Sequence, residues 1–418
     1  MEIRDHRLIL GGIPASDLVR EFGSPLYAYE EDVIRRQARR LVAGVPHPGY
    51  RPRYSLKANT NPHVVAVALE EGLDLEAVSP GEIALALALG APPGRVHYTS
   101  NGMSREEMGF ALARKVGIPV DSLSGLGLFA RLSPGGAVWV RLNPGEGAGH
   151  HDHVVTGGPL TKFGVPVEQA AGLRTEARRL GIRIAGLHMH IGSNFLDPAP
   201  FLAMVEVLLK AALGFEALEG ISVGGGFGIA YRPGQRSLDL EVFGPELARR
   251  FEAFLGEYGR PVALAVEPGR FLVCEAGMLL ARVTAISRGT ERTFVILDTG
   301  FNHLIRPMLY GAFHNILHAE AADVPGSVTV DVCGNICETG DIFQKGFALP
   351  PVAEGDVLAI THAGAYGYTM ASTYNTRPLP AEVMVAGGKA RIIRRRETPE
   401  ALASRELELA GLARQARH

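Results

Sequence analysis

The sequence predicts an α/β protein in which a closed (β/α)8 barrel is followed by an antiparallel β domain. Two observations lead to this prediction. Between about residue 50 and residue 267, eight short strand-like runs alternate with helical segments, which matches a barrel better than an open sheet. After Pro268 the apolar runs are short and are separated by Gly and Pro turns, a pattern typical of antiparallel β structure.

The individual elements follow from local periodicity and turn residues. The predicted barrel strands are short apolar runs at 53–58, 73–79, 95–100, 119–123, 137–143, 182–191, 221–226 and 262–267. Helices are predicted between them, at 63–71, 81–89, 105–115, after 123, around 167–180, at 200–213 and at 240–257. In the β domain, strands are predicted at 293–297, 327–332, 356–361 and 381–385.

The domain boundaries follow from these elements. Residues 30–268 are predicted to form the barrel and residues 269–397 the β domain. The strand-like runs at 2–10 and 25–29 lie within residues 1–29, which are predicted to join the β domain. Residues 398–418 form a charged amphipathic tail that opens with Thr-Pro-Glu, a typical helix start.

Composition excludes several classes of protein. The net charge is −2, which gives no electrostatic basis for binding nucleic acid or an anionic membrane. No apolar run approaches the ~18 residues of a transmembrane helix, and the charged N-terminus does not resemble a signal peptide. Three cysteines are too few for a disulfide framework. We therefore predict a cytoplasmic protein.

In a (β/α)8 barrel, active residues lie at the carboxyl ends of the strands. The first predicted strand ends at Lys57, one of only six lysines in the chain. A lysine held at the barrel mouth and partly desolvated has a lowered pKa and becomes a nucleophile for Schiff-base chemistry. Taken alone, Lys57 would be interpreted as a solvated lysine at a strand end.

The sixth predicted strand carries two histidines on one face, His188 and His190, because side chains alternate along a strand. A zinc site that adds His150, His151 and His153 is one interpretation. No carboxylate or thiol completes a recognised ligand spacing, so no metal is predicted.

Two turns complete the predicted site. The glycine run at 224–228 is neither a Walker loop nor a clean GxGxxG, but bare backbone amides after a late barrel strand commonly bind phosphate. The turn at 267–270, Glu-Pro-Gly-Arg, brings a carboxylate and an arginine to the same mouth. A plain turn with a surface ion pair is the simpler interpretation of these four residues.

An amine nucleophile, an imidazole, a phosphate site and a carboxylate in one barrel mouth together predict pyridoxal 5'-phosphate as the cofactor. Lys57 would bind it covalently, His190 would stack on its ring, and Glu267 would keep its pyridine nitrogen protonated. Ser193, Gly226 and Gly269, in the loops after strands six to eight, are predicted to bind its phosphate, and Gly225 is predicted to contact the cofactor.

The chain resembles the barrel-type pyridoxal phosphate-dependent decarboxylases of basic amino acids, and the members that act on diaminopimelate are the most similar. The barrel motifs that carry the resemblance are Tyr-Ser-Leu-Lys-Ala-Asn at 54–59, Glu-Ala-Val-Ser-Pro-Gly-Glu at 76–82, Thr-Lys-Phe-Gly at 161–164, His-Met-His-Ile-Gly-Ser at 188–193, and the two turns above. Those of the β domain are Ile-Arg-Pro-Met-Leu-Tyr at 305–310, Cys-Glu-Thr-Gly-Asp at 337–341, Gly-Ala-Tyr-Gly at 364–367, and Asn-Thr-Arg-Pro-Leu-Pro-Ala-Glu-Val at 375–383. Their order and spacing hold from about residue 25 to residue 390.

The resemblance implies an alanine-racemase-like barrel and a homodimer, in which each active site is completed by the partner subunit's Cys337 and by the partner subunit's Glu338. It implies that Cys337 is the acid that protonates the product carbanion. It also implies that Glu76, where the family usually has Asp, contacts the cofactor region. The residues implied in substrate or cofactor contacts are Arg270, Arg306, Tyr310, Glu338 and Tyr366.

The implied reaction is decarboxylation of meso-diaminopimelate to L-lysine and carbon dioxide. Glu338 suits the distal ammonium of that substrate, and Arg306 and Arg270 suit its distal carboxylate by fork geometry. Decarboxylation of lysine, ornithine, carboxynorspermidine or a siderophore or antibiotic precursor is an alternative. Outside that chemistry, the alternatives are a catalytically silent cofactor-binding regulator and a zinc hydrolase. The loop at 145–161, with three histidines at 150–153, is interpreted as a substrate lid or as a solvated loop.

Overall fold

The computed structural model describes residues 2–145, 158 and 161–409. The chain divides into two compact units, Ile34–Leu272 and a second unit composed of Met1–Val33 and Val273–His418. The division therefore falls after Val33 and Leu272, whereas the predicted boundaries follow residues 29 and 268. Within the described residues, no helix combines the length and the apolar character needed to cross a bilayer.

The N-terminal segment differs from the prediction at its start. The elements here are β1 (Glu2–Arg4), β2 (Arg7–Leu10), β3 (Ile13–Pro14), α1 (Ala15–Phe22), β4 (Leu26–Glu30) and α2 (Glu31–Ala43). The predicted strand at 2–10 is split into a hairpin because Asp5 and His6 turn the chain with φ of 50° and 65°. Strands β1–β3 form a small sheet of their own, so only β4 joins the main sheet of the β unit.

The barrel is closed by parallel strand pairs throughout, which confirms the predicted fold class. Its strands are β5 (Tyr50–Ser55), β6 (Asp74–Ala77), β7 (Val96–Tyr98), β8 (Pro119–Val120), β9 (Ala137–Asn143), β11 (Arg183–His188), β12 (Gly220–Ser222) and β13 (Ala263–Val266), with β10 (Val165–Pro166) added beside β9. The last strand, β13, pairs with the first strand, β5. A backbone bridge between His97 and Gly117 connects β7 to the segment that leads into β8, which completes the ring of strands.

The barrel helices begin where a side chain caps the first turn. They are α3 (Pro62–Glu70), α4 (Pro80–Ala88), α5 (Arg105–Ala113), α6 (Leu123–Leu132), α7 (Ala170–Arg179), α8 (Pro198–Ala212) and α9 (Leu240–Tyr258). Six of them start after an Asn, Ser or Asp whose side chain accepts a backbone N–H of the first turn: Asn61, Ser79, Ser104, Ser122, Asp197 and Asp239. These caps account for the close agreement between predicted and observed helix starts.

The β unit is a mixed sheet rather than a purely antiparallel one. Its elements after the short helix α10 (Arg270–Val273) are β14 (Gly277–Arg288), β15 (Thr293–Leu297), α11 (Arg306–Tyr310), β16 (Ile316–His318), β17 (Val328–Cys333), β18 (Ile342–Leu349), β19 (Val357–Ile360), β20 (Ala381–Ala386), β21 (Lys389–Arg394) and α12 (Pro399–Leu409). Strand β4 lies between β14 and β20 and is parallel to β20, and β15 is parallel to β17. The prediction missed β14, which pairs with β4, β15 and β19. Of the predicted tail, residues 410–418 lie outside the described part.

Two glycines of helix α9 provide a matched test of how closely the barrel layers pack. A methyl group on Gly244 would fall within bonding range of the carbonyl oxygen of Gly44, whereas one on Gly256 would meet nothing within 4 Å. We expect Gly244→Ala to lower the free energy of unfolding by about 1–3 kcal/mol, because backbone must move to make room. Gly256→Ala should raise it by about 0.5–1 kcal/mol through helix propensity. Thermal unfolding of the two variants beside the wild type measures both effects. Equal Tm values for Gly244→Ala and wild type would contradict this packing.

Candidate active site

The predicted residues of the barrel unit lie at the carboxyl ends of its strands. Glu76 is in β6, and the others follow β5, β11, β12 and β13 directly: Lys57, His190, Ser193, Gly225, Gly226, Glu267, Gly269 and Arg270. Contacts connect them to one another. The Gly225 N–H donates to His190 Nδ1 at 3.2 Å, and Arg270 Nη2 donates to Ser193 Oγ at 3.0 Å. These residues therefore form one site at the barrel mouth.

Lys57 lies in a single helical turn after β5 and forms an ion pair with Glu76. The distance from Lys57 Nζ to Glu76 Oε1 is 3.9 Å, and the side chains are 41% and 2% exposed. Burial raises the pKa of Glu76, an effect that the Lys57 charge partly offsets, and the Ser55 hydroxyl donates to Glu76 Oε2. The 41% exposure of Lys57 fits the partial desolvation that the sequence predicts. The nearby Glu76 carboxylate stabilises the ammonium form.

The buried Glu267 carboxylate has three side-chain partners. Its Oε1 accepts from Arg53 Nη1 at 2.9 Å and from Ser222 Oγ at 2.8 Å, and its Oε2 lies 2.9 Å from His188 Nε2. Burial opposes its ionisation, but His188 and Arg53 outweigh that cost and hold the pKa of Glu267 well below its usual range. Since a carboxylate offers about four acceptor positions, one position on Oε2 stays open to an N–H donor.

Sequence reasoning missed Arg53, which contacts Glu267, and the two residues that contact Arg53, His97 and Trp139. Arg53 also donates from Nη2 to His97 Nε2 at 2.9 Å, and its guanidinium lies 5.2 Å from the centre of the Trp139 ring. Burial, followed by the charge of Arg53, holds the pKa of His97 well below 6.5, so its imidazole is neutral. An arginine two residues before Ser55 in a barrel strand faces the same side as Ser55 and requires a buried anion. The two-residue spacing between Arg53 and Ser55 could therefore have identified Arg53 from the sequence.

Arg141 is a second residue that the sequence did not single out. It lies near the end of β9, is buried, and donates from Nη2 to the carbonyl oxygen of His190 at 3.1 Å. Burial lowers the pKa of Arg141 to about 10, so it remains charged at neutral pH. Its guanidinium lies 4.7 Å from the ring centre of Phe163, within the motif at 161–164. Arg141 therefore links that motif to the loop after β11.

His190 is neutral and oriented by the glycine loop. Burial lowers its pKa well below 6.5, and the charges of Lys57 and Arg141 act in the same direction. Because Nδ1 accepts the Gly225 N–H, the ring proton resides on Nε2. A methyl group on Gly225 would collide with the Glu267 carbonyl oxygen. The close approach of the two backbones therefore requires glycine at position 225, whether or not a ligand binds there.

The residues around Arg270 offer hydrogen-bond donors to an anionic group. Arg270 is buried and also donates from Nη1 to the hydroxyl of Tyr231, a residue that sequence reasoning missed. Within the described part of the chain, the backbone N–H groups of Gly226 and Gly269 donate no hydrogen bond. Two open amides beside a guanidinium are suited to the oxygens of a phosphate.

Of the histidines named in the zinc interpretation, His188 and His190 have separate partners. His188 contacts Glu267, and His190 accepts from the Gly225 amide. Among residues 2–145, 158 and 161–409, no cluster of three or more His, Cys, Asp or Glu side chains is arranged to hold a metal. The three histidines at 150–153, and with them most of the predicted lid at 145–161, lie outside the described residues.

The remaining predicted residues lie in the β unit. Arg306 begins α11, is 2% exposed, and places its guanidinium 5.7 Å and 5.8 Å from the ring centres of Tyr310 and Tyr366. Tyr366 adopts a left-handed φ of 57°. Cys337 and Glu338 are exposed neighbours in the loop between β17 and β18. Their predicted contribution to a partner's active site stays a prediction.

A closed barrel with an ion-paired lysine and two open amides at its mouth suits an enzyme that binds pyridoxal phosphate, and the family model identifies the class as the pyridoxal-dependent decarboxylases. Residues 31–274 match the family model described as pyridoxal-dependent decarboxylase, pyridoxal binding domain. Full-length relatives narrow the class. The chain is 44% identical over 410 residues to the diaminopimelate decarboxylase of Methanothermobacter thermautotrophicus, covering 95% of both chains, and 36% identical to that of Escherichia coli K12, covering 94% and 97%. It belongs to the diaminopimelate decarboxylase family.

Solved structures agree with this assignment. The crystal structure of diaminopimelate decarboxylase from Helicobacter pylori complexed with L-lysine superposes with a TM-score of 0.86 at 31% identity, covering 95% of this chain and all of the other. The enzyme from M. jannaschii, in co-complex with L-lysine, superposes with a TM-score of 0.88 at 28% identity, covering 97% of both chains. The barrel and the β unit are thus both represented in relatives of known structure.

Proposed function

We propose that this protein is a pyridoxal phosphate-dependent carboxy-lyase that converts meso-diaminopimelate to L-lysine and carbon dioxide. The observation that carries the proposal is the Lys57–Glu76 ion pair at the mouth of a barrel whose chain belongs to the diaminopimelate decarboxylase family. The reaction belongs to lysine biosynthesis, and a cytoplasmic location remains a prediction.

The barrel mouth fits pyridoxal phosphate. Open amides at Gly226 and Gly269, next to Arg270, suit the phosphate, and the open acceptor position on Glu267 suits a protonated ring nitrogen. Within the described residues, Lys57 is the only lysine at the end of a barrel strand, and it is the proposed point of attachment. When bound, the cofactor supplies an electron sink for the bond that breaks at the α-carbon.

Residues of the chain itself hold protons and orient the groups that contact the cofactor. Lys57 must lose a proton before its amine can react, and Glu76, whose pKa burial raises, lies 3.9 Å away to hold that proton. Neutral His190 presents an uncharged ring surface, which Gly225 and Arg141 keep in place. Glu267 stays ionised because of its three donors, so it can hold a positively charged N–H.

Substrate recognition is assigned to residues of the β unit. Arg270 already serves Ser193 and Tyr231, so we assign it to the cofactor side and assign Arg306 to the distal carboxylate of the substrate. Glu338 is proposed to bind the distal ammonium, and Cys337 to return a proton to the α-carbon. Tyr310 and Tyr366 flank Arg306 and are proposed to orient it.

A homodimer is part of the proposal. Cys337 and Glu338 are exposed, although their proposed roles require a site closed to water. Three exposed apolar side chains, Met308, Leu309 and Tyr374, belong to the same unit, and Tyr374 contacts Glu338. Exposed apolar groups of this kind favour a protein–protein contact. A second copy of the chain is the proposed partner.

The site of cofactor attachment can be tested by reduction. Borohydride treatment of the holoenzyme should fix the cofactor to Lys57, as identified by peptide mass spectrometry. Lys57→Ala should lose both the covalent label and turnover, because no other lysine ends a barrel strand in the part of the chain that the structure describes. Lys210→Ala, at an exposed position of helix α8, is the control and should behave as wild type. A label on any other lysine would overturn the assignment.

Substrate identity can be tested by carbon dioxide release from meso-diaminopimelate and from the L and D forms of lysine and ornithine. Wild type should prefer diaminopimelate. Arg306→Ala should lower kcat/KM for that substrate by roughly ten- to 150-fold, the value of a lost charge-assisted pair of about 1.5–3 kcal/mol. Lysine, without a distal carboxylate, should be nearly unaffected.

Because Arg306 is buried, the circular dichroism and Tm of Arg306→Ala are compared with those of Arg306→Lys, which keeps the charge without the bidentate fork. Equal losses with diaminopimelate and lysine would assign Arg306 to the fold or the cofactor. A preference of wild type for lysine or ornithine would reject diaminopimelate as substrate.

Shared active sites can be tested by subunit exchange. Lys57→Ala and Cys337→Ala homodimers should each be nearly inactive. After mixing and exchange they should regain about a quarter of wild-type activity, because half of the dimers are then mixed and each mixed dimer has one intact site. Exchange is verified with differently tagged subunits. Absence of recovery despite exchange would place Cys337 in the site of its own chain.

A further inference from the structure

Arg53 is a buried arginine of strand β5 whose guanidinium has a different partner on each terminal nitrogen. Its Nη1 donates to Glu267 Oε1 at 2.9 Å, and the two side chains are only 5% and 4% exposed. Its Nη2 donates to His97 Nε2 at 2.9 Å. Among the residues that the structure describes, Glu267 is the only carboxylate within 4 Å of this guanidinium. The positive charge of Arg53 is therefore balanced by this one acid.

The guanidinium also lies against the ring of Trp139, for which two glycines leave room. The centre of the Trp139 ring is 5.2 Å from the guanidinium carbon of Arg53. Gly186 is the register partner of Trp139 on the neighbouring strand, and Gly220 is the partner of Gly186 on the next one. A methyl group on Gly186 would lie 2.2 Å from the indole, and one on Gly220 would lie 2.6 Å from it. Three strands thus combine to seat one large ring beside Arg53.

His97 restricts both of these groups without adding a charge. Its ring meets the Trp139 ring edge to face, with centres 5.1 Å apart and planes at 74°. Burial keeps the pKa of His97 well below 6.5, so the imidazole is a neutral acceptor for Arg53. The guanidinium is therefore held by a carboxylate, an imidazole and an aromatic ring.

The ion pair is better explained by orientation than by stability. Desolvation of a buried ion pair often cancels its attraction, and apolar residues of similar volume are frequently as stable. What Arg53 does accomplish is to fix one oxygen of the acid. Together with the Ser222 hydroxyl, it donates to Oε1 of Glu267. Oε2, which contacts His188, is then the oxygen with an open acceptor position.

We propose that Arg53 is a positioning residue that fixes the Glu267 carboxylate so that Oε2 is presented to the ring nitrogen of the cofactor, and that Trp139 and His97 hold Arg53 in place. The inference rests on the proposed function, because that nitrogen belongs to pyridoxal phosphate. Arg53 acts through Glu267 and needs no contact with the cofactor itself. Its loss should therefore weaken recognition of the ring nitrogen and leave recognition of the phosphate intact.

The test compares two cofactors on the full-length protein after its own cofactor has been removed. One is pyridoxal phosphate, and the other is its 1-deaza analogue, in which a C–H group replaces the ring nitrogen. Both carry the aldehyde for Lys57 and the same phosphate, so they differ at the atom assigned to Glu267. Their dissociation constants are measured by equilibrium dialysis.

Arg53→Met keeps an unbranched apolar side chain beside Trp139 but removes the charge. We expect it to bind pyridoxal phosphate about tenfold more weakly than wild type, the low end for a lost hydrogen bond to a charged group. It should bind the deaza analogue as wild type does. In a Glu267→Gln background, the same substitution should change neither constant, because the group through which Arg53 acts has been replaced.

Two further variants keep the result interpretable. Arg53→Lys retains a cation beside Glu267 without the bidentate fork, and it replaces Arg53→Met if circular dichroism and Tm show that the latter does not fold. Its loss of affinity should be smaller and again confined to pyridoxal phosphate. Arg183→Met removes an exposed barrel arginine that is paired with Glu219 at 2.7 Å, and it should leave both constants unchanged.

Equal losses for the two cofactors in the Arg53 variants would overturn the proposal, because Arg53 would then support the barrel as a whole. Unchanged binding of both cofactors would overturn it as well, and so would a tenfold loss that persists in the Glu267→Gln background. Failure of the wild type to bind pyridoxal phosphate would instead reject the proposed function, and this inference with it. The two kinds of failure are thus told apart without measuring turnover.

Discussion

The buried carboxylate of Glu267 is the constraint on which the barrel site depends. An unpaired buried carboxylate would cost several kcal/mol, so its position dictates where positive and donating groups must lie. Arg53 from β5, His188 from β11 and Ser222 from β12 all meet it at the end of β13. Four strands of the barrel are thereby held in register at the mouth. Removing one partner from such a pair is expected to cost about 3–5 kcal/mol.

The loops above Glu267 are positioned by backbone contact as much as by side chains. Gly225 packs on the Glu267 carbonyl, and Gly226 packs on the carbonyl of Gly192. Phe227, in the same glycine run, is buried and meets Phe243 of α9 edge to face, with ring centres 5.0 Å apart. The amides that suit a phosphate are therefore fixed before any ligand binds, which reduces the ordering cost of binding.

In the β unit, the residues predicted to contact the substrate have different environments and are oriented in different ways. Arg306 is buried, and its guanidinium lies 5.7 Å and 5.8 Å from the ring centres of Tyr310 and Tyr366, so its freedom to move is restricted. Cys337 and Glu338 are exposed but are each held by a hydrogen bond from a strained loop. Burial thus orients Arg306, whereas hydrogen bonds from Tyr374 and Asn375 orient Glu338 and Cys337. Both arrangements reduce the conformational freedom that a bound substrate would otherwise have to remove.

The sequence by itself determined the barrel, because alternating strand and helix patterns and capping residues are local signals. It also brought Lys57 to a strand end, where a barrel exposes its reactive groups. Only the tertiary structure decided the partners, since Arg53 and Glu267 are 214 residues apart and no periodicity relates them. The same holds for β4, which lies between β14 and β20, and for Asn375 beside Cys337. The hairpin at residues 2–10 is decided by backbone turns at Asp5 and His6, residues whose left-handed conformation is not dictated by their identity. Local propensity specifies elements, whereas buried charge, close glycine packing and strand insertion depend on residues that meet only when the chain is folded.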